Sequence, residues 1–117
     1  MFDPRPAPSE LFRAFADPTR LRILNLLSEH KEICVCDLCD VLDEIQPKVS
    51  RHLATLRRVG LVHGRRDGKW MFYSLADGPT PLQRTLLRCV RSCLPGFDVL
   101  ADDRKRLRAL ELRVRCA

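Results

Sequence analysis

No stretch of this 117-residue sequence approaches the ~18 consecutive apolar residues that a membrane span needs. The opening segment MFDPRPAPSE lacks the basic start and apolar stretch of an export signal. Together these absences predict a cytoplasmic protein with no membrane contact. The chain also has no glycine-rich phosphate loop, no nucleophile paired with a base at a recognisable site, no internal repeat and no low-complexity tract. Catalysis is therefore not expected, and no catalytic residue or catalytic cofactor is assigned.

What is present is positive charge and sulfur. Lys and Arg number 21 against 15 Asp and Glu, giving a formal charge of +6 and a pI near 9.3, which favours a polyanionic partner. The length and an apolar fraction of 45% allow one domain over residues 1–117 with a modest core, too small for separate catalytic and regulatory domains. Six cysteines in a reducing compartment point to ligands, redox groups or core filler rather than a disulfide framework.

Periodicity divides the chain into short helices and one hairpin. SELFRAFA carries Leu11, Phe12 and Phe15 at helical spacing, with Ser9 as the expected N-cap. DPTRLRILNLLSEH has Asp17 as cap, Pro18 at the first helical position, and an apolar face of Leu21, Ile23, Leu24 and Leu27. CVCDLCDVLD and QPKVSRHLATLRRVG are helical segments separated only by Asp43 to Ile45, a helix-turn-helix spacing, and Gly60 supplies the stop. In LVHGRRDGKWMFYSL the period becomes two, with Leu61, Met71, Tyr73 and Leu75 inward on either side of the hairpin signal Asp67-Gly68. Trp70 alternates with Met71 and should point away from the core.

TPLQRTLLRCVRSCL and DVLADDRKRLRALELRVR add two helices, broken at Pro95-Gly96. The last presents Leu100, Leu107, Leu110 and Val114 on one side, which suits a dimer-supporting helix. The whole order predicts a mainly α winged helix-turn-helix with a small two-stranded antiparallel β wing. Its recognition helix falls near residues 46–60, its wing over 61–75 and its C-terminal dimer-type helices over 79–115.

A recognition helix lies in the major groove with its N-terminal residues at base edges and its apolar side turned inward. Val49, Leu53 and Leu56 form that inner stripe, so Gln46, Ser50 and Arg51 are expected near bases and Lys48 on phosphate. His52, also counted among the DNA-binding residues, borders the stripe, where a structural or phosphate hydrogen bond is the commoner role and base reading the alternative. Arg65, Arg66 and Lys69 make a basic wing tip suited to the minor groove or backbone, with a solvated turn as the bland alternative.

CVCDLC places Cys34, Cys36 and Cys39 within six residues. On an ideal helix Cys36 and Cys39 stand about 60° apart, whereas Cys34 lies about 160° from Cys36 and about 140° from Cys39. A regular helix presents two of these sulfurs together but never three. Thiolate ligation at about 2.3 Å requires the sulfurs within roughly 4 Å of one another, so binding is expected to unwind the helix start around Cys34. Three soft thiolates without a well-placed fourth ligand suit a trigonal-pyramidal As(III) or Sb(III) centre better than tetrahedral zinc. His30, four residues before Cys34, is open between a fourth ligand and a helix C-terminal histidine facing the dipole. Small buried hydrophobes are the alternative reading of the trio, but three of them share no single face at this spacing.

The segments ICVCDLCDVLD, QPKVSRHLATLRRVGLV and RRDGKWMFYSL, with ADPTRLRILNLL upstream, resemble the ArsR/SmtB family of metalloregulatory repressors and in particular its arsenic-responsive ArsR members. The resemblance covers about residues 10–75. It implies a homodimer that binds inverted-repeat operator DNA when metal-free. As(III) or Sb(III) on Cys34, Cys36 and Cys39 would release it and derepress an arsenic resistance operon.

In cadmium- and lead-responsive relatives, N-terminal cysteines join the Cys-x-Cys pair, and residues 1–33 here contain none. Zinc-responsive relatives place Asp, His and Glu ligands on a C-terminal helix, and residues 79–117 contain no histidine. Cys89 and Cys93 share a stripe with Leu82, Leu86 and Val90, which favours packing in a dimer core; a secondary thiol site completed by Cys116 is the alternative. Rival readings on the same scaffold are a cadmium, lead or zinc sensor and a thiol redox sensor.

Overall fold

The structure is a computed structural model and describes residues 6–111. Its elements are α1 (Pro8–Phe15), α2 (Pro18–Glu29), β1 (Ile33–Cys34), α3 (Val35–Leu42), α4 (Gln46–Arg58), β2 (Val62–Asp67), β3 (Trp70–Leu75), α5 (Pro81–Cys93), a 3-10 turn (Leu94–Gly96) and α6 (Asp98–Glu111). This is the expected winged helix-turn-helix order. One boundary differs from the sequence reading: Ser9 lies inside α1, and Ala7 is the N-cap. Pro8 takes the first helical position, where its missing N–H costs nothing, and the Glu10 carboxylate accepts the Ala7 N–H at 3.1 Å. Asp17 caps α2 as expected, accepting the Arg20 N–H at 3.0 Å.

The turn between α3 and α4 begins at Asp43, which adopts the left-handed conformation (φ 54°) and donates its N–H back to Asp40 O. Gly60 ends α4 at φ 77°, and any Cβ there would meet Gln83 Nε2 at 2.8 Å. That contact is close because the buried Gln83 amide donates to Val59 O at 2.8 Å, pinning α5 to the end of α4.

The core lies where α2, α3 and α4 meet: Leu24, Leu26, Leu38, Leu53, Leu56 and Leu61 are fully buried in one cluster. The Val49, Leu53 and Leu56 stripe is buried as the periodicity required. Leu61 is buried and Met71, Tyr73 and Leu75 pack half-buried against the cluster, as expected, although the turn falls one residue later than the Asp67-Gly68 signal placed it. Asp67 pairs with Trp70, making Gly68 (φ 62°) and Lys69 the two-residue turn. Trp70 is half-buried, with the Lys69 ammonium 5.2 Å from its ring.

The sheet has a third strand that the sequence reading did not include. β1 pairs antiparallel with β3, giving the order β1-β3-β2, with Ile33 opposite Tyr73 and Cys34 opposite Phe72. Two residues carry no period of their own, so only the partner strand defines them as β.

Helix α6 folds back over α2. The fully buried Asp103 accepts from Arg22 Nε at 2.7 Å and Nη2 at 3.0 Å, and from Arg106. Arg104 bonds Asn25 Oδ1 at 2.9 Å and Ser28 Oγ at 2.6 Å, while Asn25 Nδ2 donates to Leu100 O at 2.9 Å. Leu100 and Leu107, assigned from sequence to dimer support, are buried within this one chain, and Leu110 packs half-buried against the same core. Val114 lies outside the described residues.

Candidate nucleic-acid interface and thiol cluster

The N-terminal turn of α4 is open to solvent. Ile45, its N-cap, is 69% exposed, and Gln46, Pro47 and Arg51 are exposed with it. Burial of Val49, Leu53 and Leu56 fixes the roll of the helix, which leaves Gln46, Lys48, Ser50 and Arg51 off the buried stripe. Ser50 and Lys48 are half-buried, and Lys48 Nζ sits 2.8 Å from Glu44 Oε2, paired one turn back. Arg57 and Arg58 are exposed further along.

His52 is held inward. Its Nδ1 lies 3.2 Å from Arg20 Nη1 and 3.8 Å from Asp17 Oδ2. Arg20 also donates to Ala14 O at 2.8 Å and Arg13 O at 3.1 Å, so it bridges the end of α1 to α4. Burial lowers the His52 pKa, the Asp17 charge opposes this, and Arg20, Lys48 and Arg51 reinforce it. Because a guanidinium only donates, a neutral His52 accepts at Nδ1. Its geometry is that of a brace between the recognition helix and the α1–α2 turn. Arg20 was not singled out in the sequence, and no local pattern around it points to this role.

On the wing, Arg66 and Lys69 are exposed. Arg65 is exposed too, but Nε and Nη2 donate to Glu32 Oε2 and Oε1 at 2.9 and 2.8 Å. That hydrogen bonding raises the Arg65 pKa and holds the Glu32 carboxyl below its ordinary range. Glu32 was also missed by the sequence reading, because the strand that brings it to the wing leaves no periodic signature.

The thiols converge differently from the helical-wheel expectation. Cys34 is not on the helix: it ends β1 and takes an extended conformation (φ −68°, ψ 142°) as the N-cap of α3. From there its Sγ reaches 2.9 Å from Cys36 Sγ, inside the roughly 4 Å that shared ligation needs, but Cys36 is disulfide-bonded and has to be reduced before it can act as a thiolate ligand. The expectation that Cys34 must be freed by unwinding a first helical turn is therefore corrected, since extended backbone already places it.

Cys39 lies one turn further along α3, half-buried against the core. Burial first, and the nearby Cys34 second, push its thiol pKa up. Among the described residues no group of three His, Cys, Asp or Glu side chains is already arranged to hold an ion. With Cys36 reduced, the donor chemistry of Cys34, Cys36 and Cys39 fits a thiophilic centre. His30 caps the C-terminal end of α2; its Nε2 lies 2.9 Å from Glu111 Oε1 and 3.6 Å from Glu29 Oε2, close charge contacts without hydrogen-bond geometry. Cys89 and Cys93 are exposed on α5, beside the half-buried Leu82 and Leu86, and Cys116 lies outside the described residues.

A buried helix-turn-helix core, an outward basic recognition turn and a basic hairpin define a DNA-binding winged-helix transcription regulator. The family profile described as "Bacterial regulatory protein, arsR family" matches residues 17–63. The arsenical resistance operon repressor of Escherichia coli K12 is 58% identical over 69 residues, 59% of each chain, so the match spans about three-fifths of that relative. An uncharacterised HTH-type transcriptional regulator of Methanocaldococcus jannaschii, MJ1325, is 48% identical over 69 residues, 59% of this chain and 78% of that one. Among solved structures, HlyU from Vibrio cholerae superposes with a TM-score of 0.62 at 31% identity, over 74% of this chain and 89% of its own. The chain belongs to the ArsR family of bacterial regulatory proteins.

Proposed function

We propose that this chain is a repressor that binds operator DNA as a homodimer when metal-free and leaves it when trivalent arsenic or antimony binds Cys34, Cys36 and Cys39. The observation that carries this reading is the 2.9 Å approach of Cys34 and Cys36 at the junction of β1 and α3. That junction touches both candidate DNA-binding elements: α3 packs on α4, and Cys34 faces Phe72 of the wing strand β3. The name of the E. coli relative supports the arsenical part of the reading.

Ligation of arsenous acid exchanges three As–OH bonds for three As–S bonds. The three thiol protons leave with the hydroxides as water, so the bound centre adds no net charge. Release must then be mechanical: drawing Cys39 toward the Cys34–Cys36 pair shifts the start of α3 against both α4 and β1. An operator affinity lowered ~10²-fold corresponds to about 2.7 kcal/mol of coupling, within the usual allosteric range. The dimer surface that fits best is the α5 stripe of Leu82, Leu86, Cys89 and Cys93, with the last two as packing groups rather than effector ligands.

The test is a DNA-release titration under reducing conditions with arsenite, antimonite, cadmium and zinc at several pH values. Arsenite and antimonite are expected to release DNA with affinities that change little between about pH 6 and 8, because thiol ligation of the neutral hydroxide liberates no proton. Cadmium, which must displace thiol protons, is expected to bind more tightly as pH rises. Release by cadmium or zinc with no response to arsenite overturns the effector assignment. Release by peroxide without metalloid favours a thiol redox switch instead.

A further inference from the structure

Arg65 stands on the wing where a phosphate contact is expected, yet its guanidinium is already engaged. Both Nε and Nη2 are given to the two oxygens of Glu32, and the guanidinium carbon lies 4.9 Å from the centroid of the Phe72 ring. The sheet register explains the arrangement. Arg65 is the cross-strand partner of Phe72 on one side, and Cys34 is its partner on the other. Cross-strand partners share a face of the sheet, so the guanidinium passes over Phe72 to reach the acid just before β1. The nearest other charges are Asp67, whose Oδ2 is 3.9 Å from Arg65 Nη1, and Lys31 next to Glu32.

The edge of the guanidinium that Glu32 occupies is the edge that takes a phosphate in a forked, two-bond contact. One acceptor pair at a time fits it. We propose that Glu32 is a positioning residue for operator binding, an intramolecular stand-in for a DNA phosphate that holds Arg65 off the operator and gives it up on contact. The inference rests on the operator-binding reading above and adds to it a built-in competitor. Glu32 precedes the thiol-bearing Cys34 by two residues on the same short segment, so the competitor travels with the strand that the effector site shares.

Surface ion pairs are weak, so the expected effect is modest and is read best as a salt dependence. On reaching DNA, the wild-type chain leaves Glu32 without its arginine, and the carboxylate recruits a cation. That uptake offsets part of the counterion release from the phosphate.

The test uses the full chain and an operator duplex selected from a random pool by the wild-type protein. Glu32→Gln is expected to tighten binding roughly two- to fivefold and to steepen log affinity against log salt by up to about one. Glu32→Asp, which keeps the charge, is expected to restore the shallower slope. Arg65→Gln is expected to weaken binding and to abolish the gain from Glu32→Gln in the double variant. Wild-type affinity and slope in Glu32→Gln overturn the inference alone, as does an equal gain in the Arg65→Gln background. A wild-type chain that selects no duplex overturns both this inference and the repressor reading.

Discussion

Two ion-paired seams hold this molecule together, and they are built in opposite ways. Between α2 and α6, Asp103 is fully buried, takes two bonds from Arg22 and another from Arg106, and sits beside an Asn25–Arg104–Ser28 network. Between β1 and the wing, Arg65 and Glu32 form an equally well-shaped forked pair, but their side chains are 54% and 34% exposed. Burial makes the first pair costly to break, because any orphaned charge stays in low dielectric. Exposure makes the second cheap to exchange, because water or a phosphate can replace either partner. The thiol helix adjoins both, packing against α6 of the fixed frame and against β1 and β3 beside the exchangeable contact.

The largest expected effect sharpens the fixed side. Asp103→Ala leaves Arg22 without its partner and is expected to cost about 3 kcal/mol of stability in a urea melt, toward the low end for a buried pair because Arg22 keeps 22% exposure. A loss below about 1 kcal/mol would place this seam in the same class as the exposed one and break the contrast.

The next effect belongs to the junction. Cys34→Ser is expected to keep operator affinity but lose the ~10²-fold release by arsenite, equivalent to about 2.7 kcal/mol of coupling. Cys39→Ser is expected to lose it as well, whereas Cys93→Ser is expected to respond as the wild type does. Full induction in the Cys34 variant would remove β1 from the effector site.

The smallest effect concerns His52. Its folded pKa lies below the ordinary 6.5, so the unfolded chain binds the proton more readily. The stability this contributes is complete above 6.5 and is lost as pH falls through the lowered value. His52→Asn is expected to flatten that loss by no more than about 1 kcal/mol, measured by melts at a series of pH values. An unchanged pH profile would show that the bond to Arg20 does not brace α4.

Much of this was legible in the sequence wherever a period or a cap residue marks it. Asp17-Pro18, the three-residue turn at Asp43, the Val49/Leu53/Leu56 stripe and, to within one residue, the hairpin at Gly68 all stand where the pattern put them. Cys34 was placed on the wrong backbone, because a wheel assumes a helix and nothing within two residues announces a strand. The same blind spot hid Glu32, whose partner is 33 residues away. No pattern in the sequence marks Asp103, yet it is the buried hub of the α2–α6 seam; its arginine lies 81 residues off. Long-range polar pairs leave no local trace, whereas apolar stripes do.

Coupled release is tested most directly by measuring arsenite affinity for the free protein and for its complex with operator DNA under the same reducing conditions. Linkage requires DNA to weaken arsenite binding by the factor with which arsenite weakens DNA binding, about 10²-fold if the thiol junction drives release. Equal arsenite affinities in the two states would contradict it.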